Sequence, residues 1–110
     1  MASFDDREKG YERKFAHDQE LEFRAKARRD MMFALWVAPQ LGLTGAEAEK
    51  YSRSLAVTAY EKGHEDKLVA RILQDLSAKG IQTTERQLRK RLTELHEMAR
   101  EQVMKEAKGI

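Results

Sequence analysis

Leu76-Ser77-Ala78-Lys79-Gly80-Ile81-Gln82-Thr83-Thr84-Glu85-Arg86-Gln87-Leu88 sets a helix stop and a helix start back to back. Gly80 stands just past an apolar-periodic run, and Ile81 can fold back on Leu76, the contact of a Schellman stop. Thr84-x-x-Gln87 then has the form of a capping box. Downstream, Leu88, Leu92, Leu95, Ala99 and Val103 recur in steps of 4, 3, 4 and 4. Upstream, Leu68, Val69, Ile72, Leu73 and Leu76 do the same over a shorter run. Each set is one face of a 3.6-residue period. So short a connection makes the two helices antiparallel or sharply crossed.

Working outward, Glu65 and Asp66 suit the first turn of the helix that ends at residue 79, and Gly63 ends the one before it. Thr44-x-x-Glu47 reads as a capping box that opens this earlier helix, whose stripe is Tyr51, Leu55 and Ala59, with Ala56 and Tyr60 beside it. Pro39 and Gly42 weaken or end a long first helix that starts near residue 5, capped by Ser3-x-x-Asp6 or Asp5-x-x-Glu8. Its rear half offers Met31, Met32, Leu35, Trp36 and Leu41 to a core. No segment alternates apolar and polar long enough for a strand. The expected fold is all-α, four helices round one core in a bundle-like domain.

The 110 residues make one domain, with 21 basic and 19 acidic side chains for a net charge of +2. Neither sign dominates any stretch: residues 1–30 carry eight of each, 31–80 six of each, and 81–110 seven basic against five acidic. Binding nucleic acid by bulk charge normally takes a larger imbalance. The absence of cysteine excludes disulfides, thiolate metal sites and cysteine nucleophiles. The longest apolar run, 31–38, is eight residues, whereas a membrane span needs about 20. Acids near the start are unlike a targeting signal. These features describe a soluble, intracellular chain without membrane insertion.

Phosphate-loop, nucleophile-elbow and dinucleotide motifs are missing, so an enzyme is not expected. His17, His64 and His96 have no metal-ligand spacing. His64-Glu65-Asp66 resembles a metal cluster on paper but reads better as a helix start. No cofactor or metal is expected. Arg24, Lys26, Arg28 and Arg29 form one basic cluster; Arg86, Arg89, Lys90 and Arg91 form another. The second follows a short turn, so a helix-turn-helix DNA-binding protein using the fourth helix is the alternative reading. Glu85, Glu94 and Glu97 on the same helix weigh against it. A phosphate site among Arg24, Arg28 and the start of the third helix ranks lowest.

The front of the first helix breaks the pattern. Phe4, Tyr11 and Phe15 fall within about 40° of one another on a helical wheel. The same stripe then meets Asp18, Glu22 and Arg29, turning polar before the core section begins. Gly10 lowers helix propensity there by about 1 kcal/mol relative to Ala. Either the aromatics fold back as ordinary core, or residues 1–20 form a marginal helix that completes itself in a partner's groove.

Six segments in order, Phe4-Asp5-Asp6-Arg7-Glu8, Lys14-Phe15-Ala16-His17-Asp18, the 24–29 basic stretch, Leu35-Trp36, Gly63-His64-Glu65-Asp66 and Arg89-Lys90-Arg91-Leu92, resemble the zeta subunit family over nearly the whole chain. These are small inhibitor proteins of alphaproteobacterial F-type ATP synthases. Pro39 departs from the family pattern, which continues a helix there. The resemblance implies a four-helix protein in two parts: an inhibitory segment over 1–20 and a globular body over 21–110. The segment would wedge between an alpha and a beta subunit near the central rotor and restrain ATP hydrolysis. Carried over, its partner-binding positions are Phe4, Asp5, Asp6, Arg7, Phe15, His17 and Asp18; the wheel adds Tyr11. The protein would then be cytoplasmic and peripheral to the inner membrane through the synthase.

Overall fold

The computed structural model describes residues 2–56 and 61–108, with side chains from residue 17 onward. Four α-helices follow in order: α1 (Ala2–Val37), α2 (Ala46–Ala56), α3 (His64–Ala78) and α4 (Glu85–Ala107), with a 3-10 turn over Ala38–Leu41 after α1. The expected all-α, four-helix architecture is what forms, and no strand occurs among the described residues.

The helix boundaries follow local chemistry. Gly80 adopts φ +74°. Its N–H donates to Ser77 O at 2.9 Å while Ile81 N donates to Leu76 O at 3.0 Å, the paired bonds of a Schellman stop. Thr84 caps α4 through a reciprocal capping box with Gln87. The same stop recurs at the end of the 3-10 turn. Gly42 lies at φ +78°, and Gly42 N and Leu43 N donate to Pro39 O and Ala38 O. Pro39 has no N–H to give and sits in the first positions of that turn, where none is needed. At residue 44 the outcome differs from the sequence reading. Thr44 contributes its carbonyl, not a capping side chain, and the α2 ladder opens from Gly45 O to Glu49 N. Gly45, at φ +55°, takes the boundary position and displaces the start by one residue.

The core joins Leu55 of α2, Leu68, Val69, Ile72 and Leu76 of α3, and Leu88, Leu92 and Leu95 of α4 to Phe33, Ala34, Val37 and Leu41. All five α4 stripe residues are buried, as their spacing predicts. Four of the five on α3 are too, Leu73 being half-buried. The rear of α1 is a correction. Met31 and Leu35 are exposed and Trp36 lies at the surface, whereas Phe33, Ala34, Val37 and Ala38 are buried. Residues 31–38 are apolar in every direction, so their periodicity carries no phase. The neighbours that arrive decide which face is covered.

A second, smaller core of Leu21, Ala25 and Val103 seals α1 against the far end of α4. The two helices run antiparallel, since Phe33 and Val37 meet the start of α4 and Leu21 meets its end. Past the Leu21–Val103 contact α4 has one turn left. The α1 backbone continues from there through residues 2–16, about 22 Å of helix at 1.5 Å per residue. The long axis of the molecule is accordingly 67 Å against 28 and 22 Å for the other two.

Candidate functional site

The candidate site is the leading part of α1 together with the seat that holds its root. Phe4, Asp5, Asp6, Arg7, Tyr11 and Phe15 belong to α1, but their side chains lie outside the described residues. His17 and Asp18 are exposed, one turn ahead of the Leu21 contact. Asp18 joins Leu21, Glu22, Arg100 and Met104 around a shallow groove where α1 and α4 separate.

Below that point polar contacts flank both sides of the α1/α4 seam. On one side Glu22 forms an ion pair with Arg100 at 3.5 Å and lies 3.1 Å from His96 Nε2. On the other, Arg28 donates twice to Glu106, at 2.5 and 2.9 Å, and Arg24 reaches the same carboxylate at 3.5 Å. Arg28 holds the Glu106 carboxyl below the ordinary glutamate range, first through the hydrogen bond and then through charge. The polar continuation of the aromatic stripe therefore has two fates. Asp18 stays exposed and Glu22 becomes part of the seam.

Arg29, the next residue on that stripe, is buried with its neighbour Asp30, 2% and 6% exposed. The Arg29 guanidinium donates twice to Asp30 Oδ1, at 3.0 and 3.1 Å, and once to Glu65 at 2.5 Å. The other Asp30 oxygen meets His64 Nε2 at 2.5 Å. Two charges on α1 are thus tied to the first turn of α3, so the root of α1 is held from behind as well as from α4. A buried pair of this kind is costly to break one side at a time.

This network also settles the roles of several sequence candidates. His64, Glu65 and Asp66 do not converge; they turn to Asp30, Arg29 and Arg89 respectively. No cluster suited to a metal occurs among the described residues. Arg24 and Arg28 face the end of α4, away from the start of α3, so the phosphate site that would combine them does not form. The cavity that does open at the α3 start, about 340 Å³, is lined by Lys26 and Arg29 against Asp30, Glu61, Glu65 and Asp66. That excess of acid disfavours an anion.

Two of the four residues in the basic cluster of α4 are paired within the body. Arg89 pairs with Asp66 at 2.7 Å and with Glu85 at 2.8 Å. Arg91 pairs with Glu94 and lies over the Trp36 ring, 5.3 Å from its centroid. Glu85, Glu94, Glu97 and Glu101 are each exposed on the same helix. A surface of alternating sign tracks a phosphate backbone poorly, which counts against the DNA-binding alternative.

The model of one family, described as ATPase inhibitor subunit zeta, matches residues 1–102. The chain belongs to that family. The resemblance carried by the short motifs thus extends over nearly the whole length, and it makes this zeta-family chain an ATPase inhibitor subunit by kind. Comparison with curated proteins and with solved structures finds no match in either. No helix among the described residues is long and apolar enough to cross a membrane.

The Arg29–Asp30 pair is the feature that sequence reasoning missed. Arg29 read as one of a basic cluster and Asp30 carried no signal. The available clue was position: both stand immediately before an eight-residue apolar run, on a helix too long to be covered on one face alone.

Proposed function

We propose that this zeta-family chain restrains ATP hydrolysis by the catalytic head of an F-type ATP synthase, and that residues 1–20 are the part that enters the head. The segment lodges at an interface between an alpha and a beta subunit, near the central rotor, with Phe4, Asp5, Asp6, Arg7, Tyr11, Phe15, His17 and Asp18 as its contact positions. The body, residues 21–110, docks and aims it. The role is regulatory, without chemistry of its own. Blocking a conformational step suffices to stop turnover where such steps limit the rate. The chain sits in the cytoplasm, held near the inner membrane by the synthase.

One observation carries this reading: α1 runs on past the end of α4 from a root that is packed against α4 and ion-paired to both α4 and the first turn of α3. A partly independent helix pays its ordering entropy when it meets a groove. Deleting residues 1–19 tests it. The truncated chain is expected to keep its helical body and cooperative unfolding and to lose inhibition of the isolated head. Inhibition equal to that of the full chain would overturn the assignment.

A further inference from the structure

We propose that the last turn and a half of α4, residues 103–107, is a clasp that keeps residues 21–28 of α1 helical and so fixes the line along which the leading segment leaves the body. Glu106 is its positioning residue. The inference rests on the reading of residues 1–20 as the inhibitory part, and it explains the Arg24 and Arg28 charges that the inhibitory segment does not use. The family match stops at residue 102, so Val103 and Glu106 lie past it.

The clasp has a floor and two walls. Val103, fully buried, closes over Leu21 and Ala25. Glu106 receives Arg28 through both carboxylate oxygens and Arg24 through one of them, while Gln102 lies 3.5 Å from Arg28. Glu22 ties the opposite flank to His96 and Arg100. A lone exposed ion pair contributes little. Here two arginines, one turn apart on α1, converge on one carboxylate of another helix above a sealed apolar floor.

Helix nucleation explains why this placement matters. Starting a helix carries a penalty of about 10³-fold, and segments shorter than about 12–15 residues are marginal alone. Residues 2–20 contain Gly10, which weakens them further. Joined to turns already held helical, they only have to propagate. Without the clasp, Leu21, Ala25 and Arg28 lose their partners on α4 and only the Glu22 contacts to His96 and Arg100 remain ahead of Arg29, which loosens two turns of helix between body and segment. The tip then samples a wider cone and finds its groove less often.

The test uses the full chain with Glu106→Arg, Arg28→Glu and the double swap, with the 1–19 deletion alongside. Amide hydrogen exchange over residues 17–27 is expected to quicken by roughly threefold or more in each single variant, the scale of an ion pair lost from a network. Exchange over 68–76 and 88–99 should stay unchanged. Inhibition of the isolated head should weaken in parallel, and the double swap should restore most of both. Recovery by charge reversal identifies the pair, and a merely structural role would change exchange while leaving inhibition intact. Unchanged exchange in the single variants overturns the clasp, as does faster exchange with inhibition intact. If the 1–19 deletion still inhibits, the earlier reading has failed instead, and that arm alone reveals it.

Discussion

Replacing Asp30 by Ala leaves a guanidinium in the interior with two of its three hydrogen bonds gone. Arg29 is 2% exposed and loses both contacts to Asp30, and His64 loses its bond to the other carboxylate oxygen. Breaking a buried pair by removing one member costs about 3–5 kcal/mol. Glu65 still holds one Arg29 nitrogen, so the lower end applies, about 3 kcal/mol. With about 5 °C per kcal/mol for a domain of this size, Tm should fall by roughly 15 °C. The double replacement Arg29→Met with Asp30→Leu removes both charges and fills the space with apolar atoms. Glu65, 54% exposed on its side chain, simply rehydrates, and the remaining loss is the His64 contact, at most about 2 kcal/mol. Urea unfolding followed by circular dichroism at 222 nm measures both. A loss under about 1 kcal/mol for Asp30→Ala, or a double variant less stable than the single one, would refute the claim that these charges are desolvated and mutually dependent.

Phe33→Ala should cost about 3–5 kcal/mol, while Leu35→Ala, two residues on, should cost under about 0.5 kcal/mol, a contrast that fixes which face of α1 is covered. Chemical denaturation of the two variants side by side checks it. Burial, helped by a 2.7 Å hydrogen bond to Asp75, pushes the Tyr51 phenol far above the ordinary tyrosine range. Its contribution to stability is complete below the free tyrosine value and is lost as pH rises through the raised one. Absorbance at 295 nm should therefore show Tyr51 resisting ionisation until the fold opens, and Tyr51→Phe should remove that late step while costing about 1 kcal/mol.

Legibility in the sequence tracked the strength of local chemistry. The α3 stop and the α4 start were readable because glycine, isoleucine, threonine and glutamine stood at the offsets those motifs demand, and each bond formed. The α4 stripe was readable because polar residues separate its apolar ones, which gives the period a phase. The rear of α1 was not, since a run of eight apolar residues has none, and packing by α2, α3 and α4 chose Phe33 and Val37 over Leu35 and Trp36. Thr44 looked like a cap, yet a left-handed glycine beside it took the boundary. Burial of Arg29 and Asp30 was invisible because a charged residue announces its need for a partner, never where that partner will come from. In the candidate site, the polar stripe did not mark where α1 leaves the body, since its members Glu22 and Arg29 are half-buried and buried at the root. The clasp at its root depended on a carboxylate 78 residues away from Arg28.

Trp36 is the single tryptophan of the chain. Its indole stacks on Phe33 at 5.9 Å and carries the Arg91 guanidinium over its ring. It is also about 15 residues up α1 from Leu21 of the second core, and about 30 Å of helix away from residue 16. Its emission is therefore a fluorometer for the seam between the first and last helices and is blind to the protruding end. A fluorescence titration with a binding partner that leaves this signal flat, while anisotropy of a dye placed near the amino terminus rises, separates capture of the tip from any rearrangement of the body in one cuvette.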